Sequence, residues 1–218
     1  MEINNIYCIN LDKRPDRWTK MLIRFKKYNL NVTRISAVSI EDEEAKIFSK
    51  ETGIQLTNSL CCAMSHIKVL KLAKENGYKT VFVLEDDIMF IESFLDKLYK
   101  SINQQHTFKL LMLDSCSNIW DTTIGIQKIN NHILAGAYII NIDYINIAID
   151  MFSNVKDWFL DVNIGLFEFI LCKLQNYNES YTVYPKLCIQ ENEDSDISEN
   201  YKYIKKWLVK NIDMTQYS

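Results

Sequence analysis

The stretch Val81-Phe82-Val83-Leu84 runs without a polar break into Glu85-Asp86-Asp87. An uninterrupted apolar run of this length, bounded by polar residues, reads as a buried strand. It forces the fold to cover the strand and to place three carboxylates where it ends. Side chains alternate along a strand, so the sequence expects Glu85 and Asp87 on one side and Asp86 on the other. Two carboxylates about 5 Å apart repel by roughly 3 kcal/mol at an effective dielectric of 20. A divalent cation reverses that cost, and an all-oxygen donor set suits magnesium or manganese rather than zinc. The other reading is a solvated acidic turn, with Asp87 or Ser93 capping the next helix.

The rest of the chain alternates short apolar runs with helical patterns. Ile6 to Leu11 reads as a buried strand that breaks at Asp12-Lys13-Arg14-Pro15-Asp16, where Pro15 suits a helix start. Trp18, Met21, Leu22 and Phe25 then recur at helical spacing. Val32 to Val38 reads as a strand and Glu41 to Lys50 as a polar helix or flap. Thr57-Asn58-Ser59 offers N-caps for a helix from Leu60 to Glu75, stopped by Gly77. Further strands are expected at Phe108 to Leu113 and Ala137 to Ile140. Further helices are expected around Phe94 to Leu98, Tyr144 to Phe152 and Asp161 to Leu174. A late extended segment covers Tyr181 to Tyr184 and Leu187 to Ile189. With Gly 5 and Pro 2 in 218 residues, sharp turns are few and regular elements should dominate. Such alternation predicts a single α/β domain with a mostly parallel sheet flanked by helices. Ligands of such sheets bind beyond the carboxyl ends of the strands. Three of those ends are polar here: Asn10-Leu11-Asp12, Glu85-Asp86-Asp87 and Asp114-Ser115.

Composition excludes several function classes. A net charge of -3 argues against a dedicated duplex-DNA binder. The six cysteines contain no CxxC pair and sit mostly in apolar runs, which fits buried packing in a reduced compartment better than a disulfide framework or a zinc site. The sequence shows neither a signal-peptide pattern nor an apolar run of about 20 residues, so a cytoplasmic protein is expected. Neither GxxxxGK[ST] nor GxGxxG is present, so a diphosphate would have to be held by a metal and by basic side chains. Lys13, Arg14 and Arg17 are the nearest of these. His66 lies four residues after Cys62 on an apolar helix side, a placement usual for a hydrogen-bonded core histidine, with a metal or catalytic role as the lesser alternative. The tail from Tyr201, with Lys202, Lys205, Lys206 and Lys210 beside Tyr203, Trp207 and Leu208, reads as a basic amphipathic helix. It either covers the core or touches an anionic membrane peripherally.

Several blocks taken together resemble glycosyltransferase family 25, the family of bacterial lipooligosaccharide β-galactosyltransferases and collagen hydroxylysine galactosyltransferases. They are Ile9-Asn10-Leu11-Asp12-Lys13-Arg14-Pro15-Asp16-Arg17-Trp18, Cys62-Ala63-Met64-Ser65-His66 and Val83-Leu84-Glu85-Asp86-Asp87-Ile88. Gly136-Ala137-Tyr138-Ile139-Ile140 and Pro185-Lys186-Leu187-Cys188-Ile189-Gln190 follow, with Ser195-Asp196-Ile197. The resemblance implies a GT-A-like domain over residues 1–200, with residues 201–218 as an appended helix. It implies inverting transfer of a hexose from a UDP-sugar, galactose first and glucose next, to a glycan, lipooligosaccharide or hydroxylysine hydroxyl. It further implies manganese, or magnesium, on the diphosphate. By position, Glu85 and Asp87 would serve the metal, Asp86 the ribose or donor sugar, and Asn10, Leu11, Arg14 and Arg17 the nucleotide end. All three histidines precede the final third of the chain, so Gln190 or a late carboxylate would stand in for a late histidine ligand. Asp161 is the expected base, with Asp157 as second choice. The competing expectations are a non-catalytic relic of the fold acting as a binding module, and a nucleotidyltransferase.

Overall fold

In a computed structural model of the chain, the described residues are 5–104, 107–114, 124–130, 132–157 and 165–191. The first strand, β1 (Ile6–Asn10), leads into helix α1 (Pro15–Lys27), which starts with Pro15 in its first turn. Next come β2 (Val32–Ser36) and α2 (Glu43–Thr52), the latter closed by Gly53 at φ 74°. Helix α3 (Asn58–Glu75) is capped by the Thr57 hydroxyl, which accepts from the Leu60 N–H. The central strand β3 (Thr80–Glu85) is followed after two residues by the short β4 (Ile88–Phe90) and then α4 (Phe94–Gln104). Strands β5 (Leu110–Met112), β6 (Gly125–Lys128) and β7 (Ala137–Asn141) precede α5 (Ile142–Ser153). Helix α6 (Leu166–Gln175), β8 (Ser180–Tyr184) and β9 (Cys188–Gln190) complete the described chain.

Seven strands form one sheet in the order β2-β1-β3-β7-β5-β8-β6, and β4 pairs with β9 in a small second sheet. Strands β1, β2, β3, β5 and β8 share one direction, while β7 and β6 oppose it. This is the mixed α/β, mostly parallel sheet flanked by helices that the sequence led us to expect. Alternation along the strands divides the core between two faces. Tyr7, Ile9, Val81, Val83 and Tyr138 face α3, α5 and α6. Ile6, Cys8, Phe82, Leu84 and Ile139 face α1 and α4. With both faces covered, the strands are buried on both sides, and that is why their sequences are continuous apolar runs.

Three details differ from the expectation. Strands β1 and β3 are parallel neighbours, but β7 lies antiparallel between β3 and β5, so the Asp114 end is one strand removed. Strand β3 stops at Glu85, and Asp86-Asp87 form the turn into β4, so strand alternation does not govern where those two carboxylates point. Strands β4 and β6, of 3 and 4 residues, carry too short a pattern to be read from sequence. Cys8, Cys61, Cys62, Cys172 and Cys188 are all free thiols, as their apolar settings implied.

Candidate functional site

A cavity of about 370 Å³ opens over the carboxyl ends of β1 and β3. Its remaining walls are the 36–42 connection after β2, the start of α3, Glu168 of α6 and Gln190 of β9. Ser65 fastens one wall, accepting from the Val38 N–H at 2.8 Å and donating to the Cys61 carbonyl at 2.7 Å. Among the described residues, seven carboxylates line the cavity (Asp12, Glu41, Asp42, Glu85, Asp86, Asp87 and Glu168) against two cations, Lys13 and Arg17.

The three carboxylates after β3 meet different partners. Asp86 accepts from Asn10 Nδ2 at 2.6 Å and from Arg17 Nη1 at 3.0 Å. Burial raises its pKa, and Asn10 and Arg17 work against that rise. Asp87 lies 3.9 Å from the same Arg17 nitrogen, and its carbonyl accepts from the Glu191 N–H. Glu85 turns toward α3 and β9. One oxygen lies 3.2 Å from His66 Nε2 and 3.8 Å from Cys62 Sγ, and the other accepts from Gln190 Nε2 at 2.7 Å. His66 is wholly buried, 3.0 Å from the Tyr138 hydroxyl and stacked at 4.2 Å on Phe167. Burial first, then the Glu85 and Glu168 carboxylates, pushes the Cys62 thiol pKa well up.

Behind this row lies Asp114, whose buried carboxyl oxygens find no well-formed hydrogen bond among the described residues. Burial and then the Glu85 charge raise its pKa to about 7. Gly136 makes the crowding feasible: a Cβ there would sit 2.5 Å from Asp114 Oδ2 and 2.7 Å from Gln190 Nε2. The Gly136 carbonyl also accepts from the Glu85 N–H at 2.7 Å, so β7 begins against the end of β3.

A family model described as Glycosyltransferase family 25 (LPS biosynthesis protein) matches residues 3–132, more than half of the chain. The chain belongs to glycosyltransferase family 25. Two curated relatives, each named Glycosyltransferase 25 family member, come from Anopheles gambiae and Drosophila pseudoobscura pseudoobscura. The first is 28% identical over 114 residues and the second 27% over 118, covering 45% and 48% of this chain. The matched segment spans only 19% of each relative, so those proteins are far longer than the part they share with this chain. A solved glycosyltransferase involved in the glycosylation of the major capsid of PBCV-1 matches at TM-score 0.51 and 9% identity. That match covers 97% of this chain and 100% of the other, a likeness of fold.

In this family 25 chain the residues singled out from sequence do not all converge. Asn10, Leu11, Arg17, Glu85, Asp86, Asp87 and Gln190 lie at or beside the cavity. Arg14 bonds Asp16 at 3.0 Å, holding that carboxyl down to about 2, and is not among the residues lining the cavity. Asp157 ends a one-turn 3-10 helix, Val155–Asp157. Asp161 and the 201–218 tail lie outside the described residues. The sequence reading gave His66 and Cys62 to the core, and gave no role to Glu168 or to the serine and acid wall at 36–42. The i, i+4 spacing of Cys62 and His66 was the available signal, since it sets both on one helix side.

Proposed function

We propose that the cavity binds a nucleoside diphosphate sugar together with a divalent cation, and that the chain transfers the sugar to an acceptor hydroxyl. The observation that carries this reading is the charge balance. Among the described residues, seven carboxylates against two cations make an anionic cavity that repels a bare diphosphate. A hard dication reverses the sign, and ions of this kind need one or two carboxylates plus phosphate oxygens. Family membership and a cavity beyond the carboxyl ends of parallel strands support the same reading.

The donors present fit manganese or magnesium at Asp87. Asp86 is engaged by Asn10 and Arg17, and Glu85 faces His66, Cys62 and Gln190. When bound, the ion offsets the charge that develops on the departing diphosphate. Arg17 and Asn10 hold the Asp86 carboxyl in place at 3.0 and 2.6 Å, so Asp86 offers an oriented acceptor for a ribose or sugar hydroxyl. Lys13 adds a cation at the cavity edge. Inverting transfer also needs a base on the acceptor hydroxyl. That role is proposed for Asp161, with Asp157 second. The donor proposed is UDP-galactose, then UDP-glucose, and the acceptor a glycan, lipooligosaccharide or hydroxylysine hydroxyl. Residues 1–200 would form the catalytic domain. The basic 201–218 segment would appose a cytoplasmic membrane surface.

Calorimetry with UDP, with and without manganese, tests the reading. Binding should require the metal and be lost in Asp87→Asn, and UDP should be released from a UDP-sugar. Metal-independent binding that survives Asp87→Asn would sink the proposal. Metal-dependent binding without turnover would identify a relic binding module, and pyrophosphate as product a nucleotidyltransferase.

A further inference from the structure

Cys62 Sγ, His66 Nε2 and a Glu85 carboxylate oxygen lie within 4.8 Å of one another. Two of the edges are 3.2 Å (His66 to Glu85) and 3.8 Å (Cys62 to Glu85). A tetrahedral zinc ion with bonds of about 2.0 Å to nitrogen and oxygen and about 2.3 Å to sulfur separates its ligands by about 3.3–3.5 Å. Two edges of the triangle are thus close to the size such an ion requires, and the third is no longer than 4.8 Å. With a metal bound, the donors would be one thiolate, the buried Cys62 thiol giving up its proton on binding, one imidazole and one carboxylate, a set that selects zinc-class ions over manganese or magnesium.

The ligands are also held as metal ligands are held. A ligating histidine ordinarily uses its second ring nitrogen on a fixed partner. Here Nδ1 meets the buried Tyr138 hydroxyl at 3.0 Å, and the ring is clamped flat against Phe167. The second oxygen of Glu85 accepts from Gln190 at 2.7 Å, which sets the carboxylate plane. All three ligand residues line the cavity, from which a water or a ligand oxygen would supply the fourth ligand.

We infer that Cys62, His66 and Glu85 form a zinc-class metal site at the floor of the cavity, separate from the hard-cation position at Asp87. The proposal does not rest on nucleotide binding. A metal-free arrangement fits the same geometry if the Cys62 S–H and the His66 Nε2–H both donate to Glu85, and the experiment separates the two.

The full chain, reduced and stripped with chelator, is titrated with cobalt(II) alone and then with zinc. The site should give a near-ultraviolet thiolate-to-cobalt band with strong visible bands of tetrahedral type, and zinc should abolish both. Cys62→Ser should remove the thiolate band and weaken binding by more than about 100-fold, with an unchanged circular dichroism spectrum. Outer partners of metal ligands typically contribute 10–100-fold, so Tyr138→Phe should weaken cobalt binding by about that factor. A cobalt spectrum without the thiolate band, or equal affinity in Cys62→Ser, overturns the proposal and identifies the hydrogen-bonded network. Manganese–UDP calorimetry reads the other position, so either site can fail while the other stands.

Discussion

Removing the Arg17 charge while keeping its bulk, as in Arg17→Met, should expose how the acidic turn is held. The Arg17 and Asp86 side chains are 8% and 10% exposed, and one Arg17 nitrogen lies 3.0 Å from Asp86 and 3.9 Å from Asp87. At an effective dielectric of about 20 those separations correspond to about 5 and about 4 kcal/mol of gross attraction. Desolvation of the guanidinium offsets much of this, and breaking a buried pair typically costs a net 3–5 kcal/mol because the remaining charge is stranded. Methionine keeps the apolar stem, so packing loss adds little. The loss should therefore be about 3–5 kcal/mol, read as a lower urea midpoint at unchanged slope.

The pH signature tests the cause. Burial already raises the Asp86 pKa, and Arg17 is one of the groups restraining it. Without Arg17 the folded-state pKa moves further above the unfolded value. The folded state then binds more protons than the unfolded one, so stability falls as pH rises and recovers as pH drops. The deficit should shrink on acidification, and Arg17→Met combined with Asp86→Asn should recover part of it at neutral pH. A loss under about 1 kcal/mol, or a deficit independent of pH, would refute the electrostatic account.

Three further outcomes are expected. The Asp114 pKa of about 7, against an ordinary 3.8, means that the native state takes up a proton. Stability should fall as pH rises from about 4 through 7, and Asp114→Asn should flatten that slope in urea midpoints measured from pH 5 to 8. A Cβ at Gly136 would meet Asp114 Oδ2 at 2.5 Å, Gln190 Nε2 at 2.7 Å and Ile88 Cδ1 at 2.8 Å. Gly136→Ala should cost about 1–3 kcal/mol by overpacking, read as a lower Tm, and weaken manganese-dependent UDP binding. Thr57→Ala removes the hydroxyl that accepts from the Leu60 N–H at 3.2 Å. It should cost about 1 kcal/mol in denaturant unfolding while leaving UDP affinity unchanged.

Local pattern was enough for much of this protein. The apolar run into Glu85-Asp86-Asp87, the Thr57 cap and Gly77 stop of α3, and Pro15 at the start of α1 are each decided by neighbours in the chain. Hydrophobic periodicity then required a covered sheet, and with it the layered α/β class. The partners of the three carboxylates depend on strand order instead. Asn10 and Arg17 reach Asp86 because β1 and β3 pair in parallel. Gln190 reaches Glu85, 105 residues away in sequence, because β9 pairs with β4. Gly136 and Asp114 close in because β7 runs antiparallel between β3 and β5. Backbone ladders form between any two strands of suitable length, so sequence pattern shows which residues sit at strand ends. Only the assembled sheet decides which of those ends meet, and hence which carboxylate faces a guanidinium and which a thiol and an imidazole.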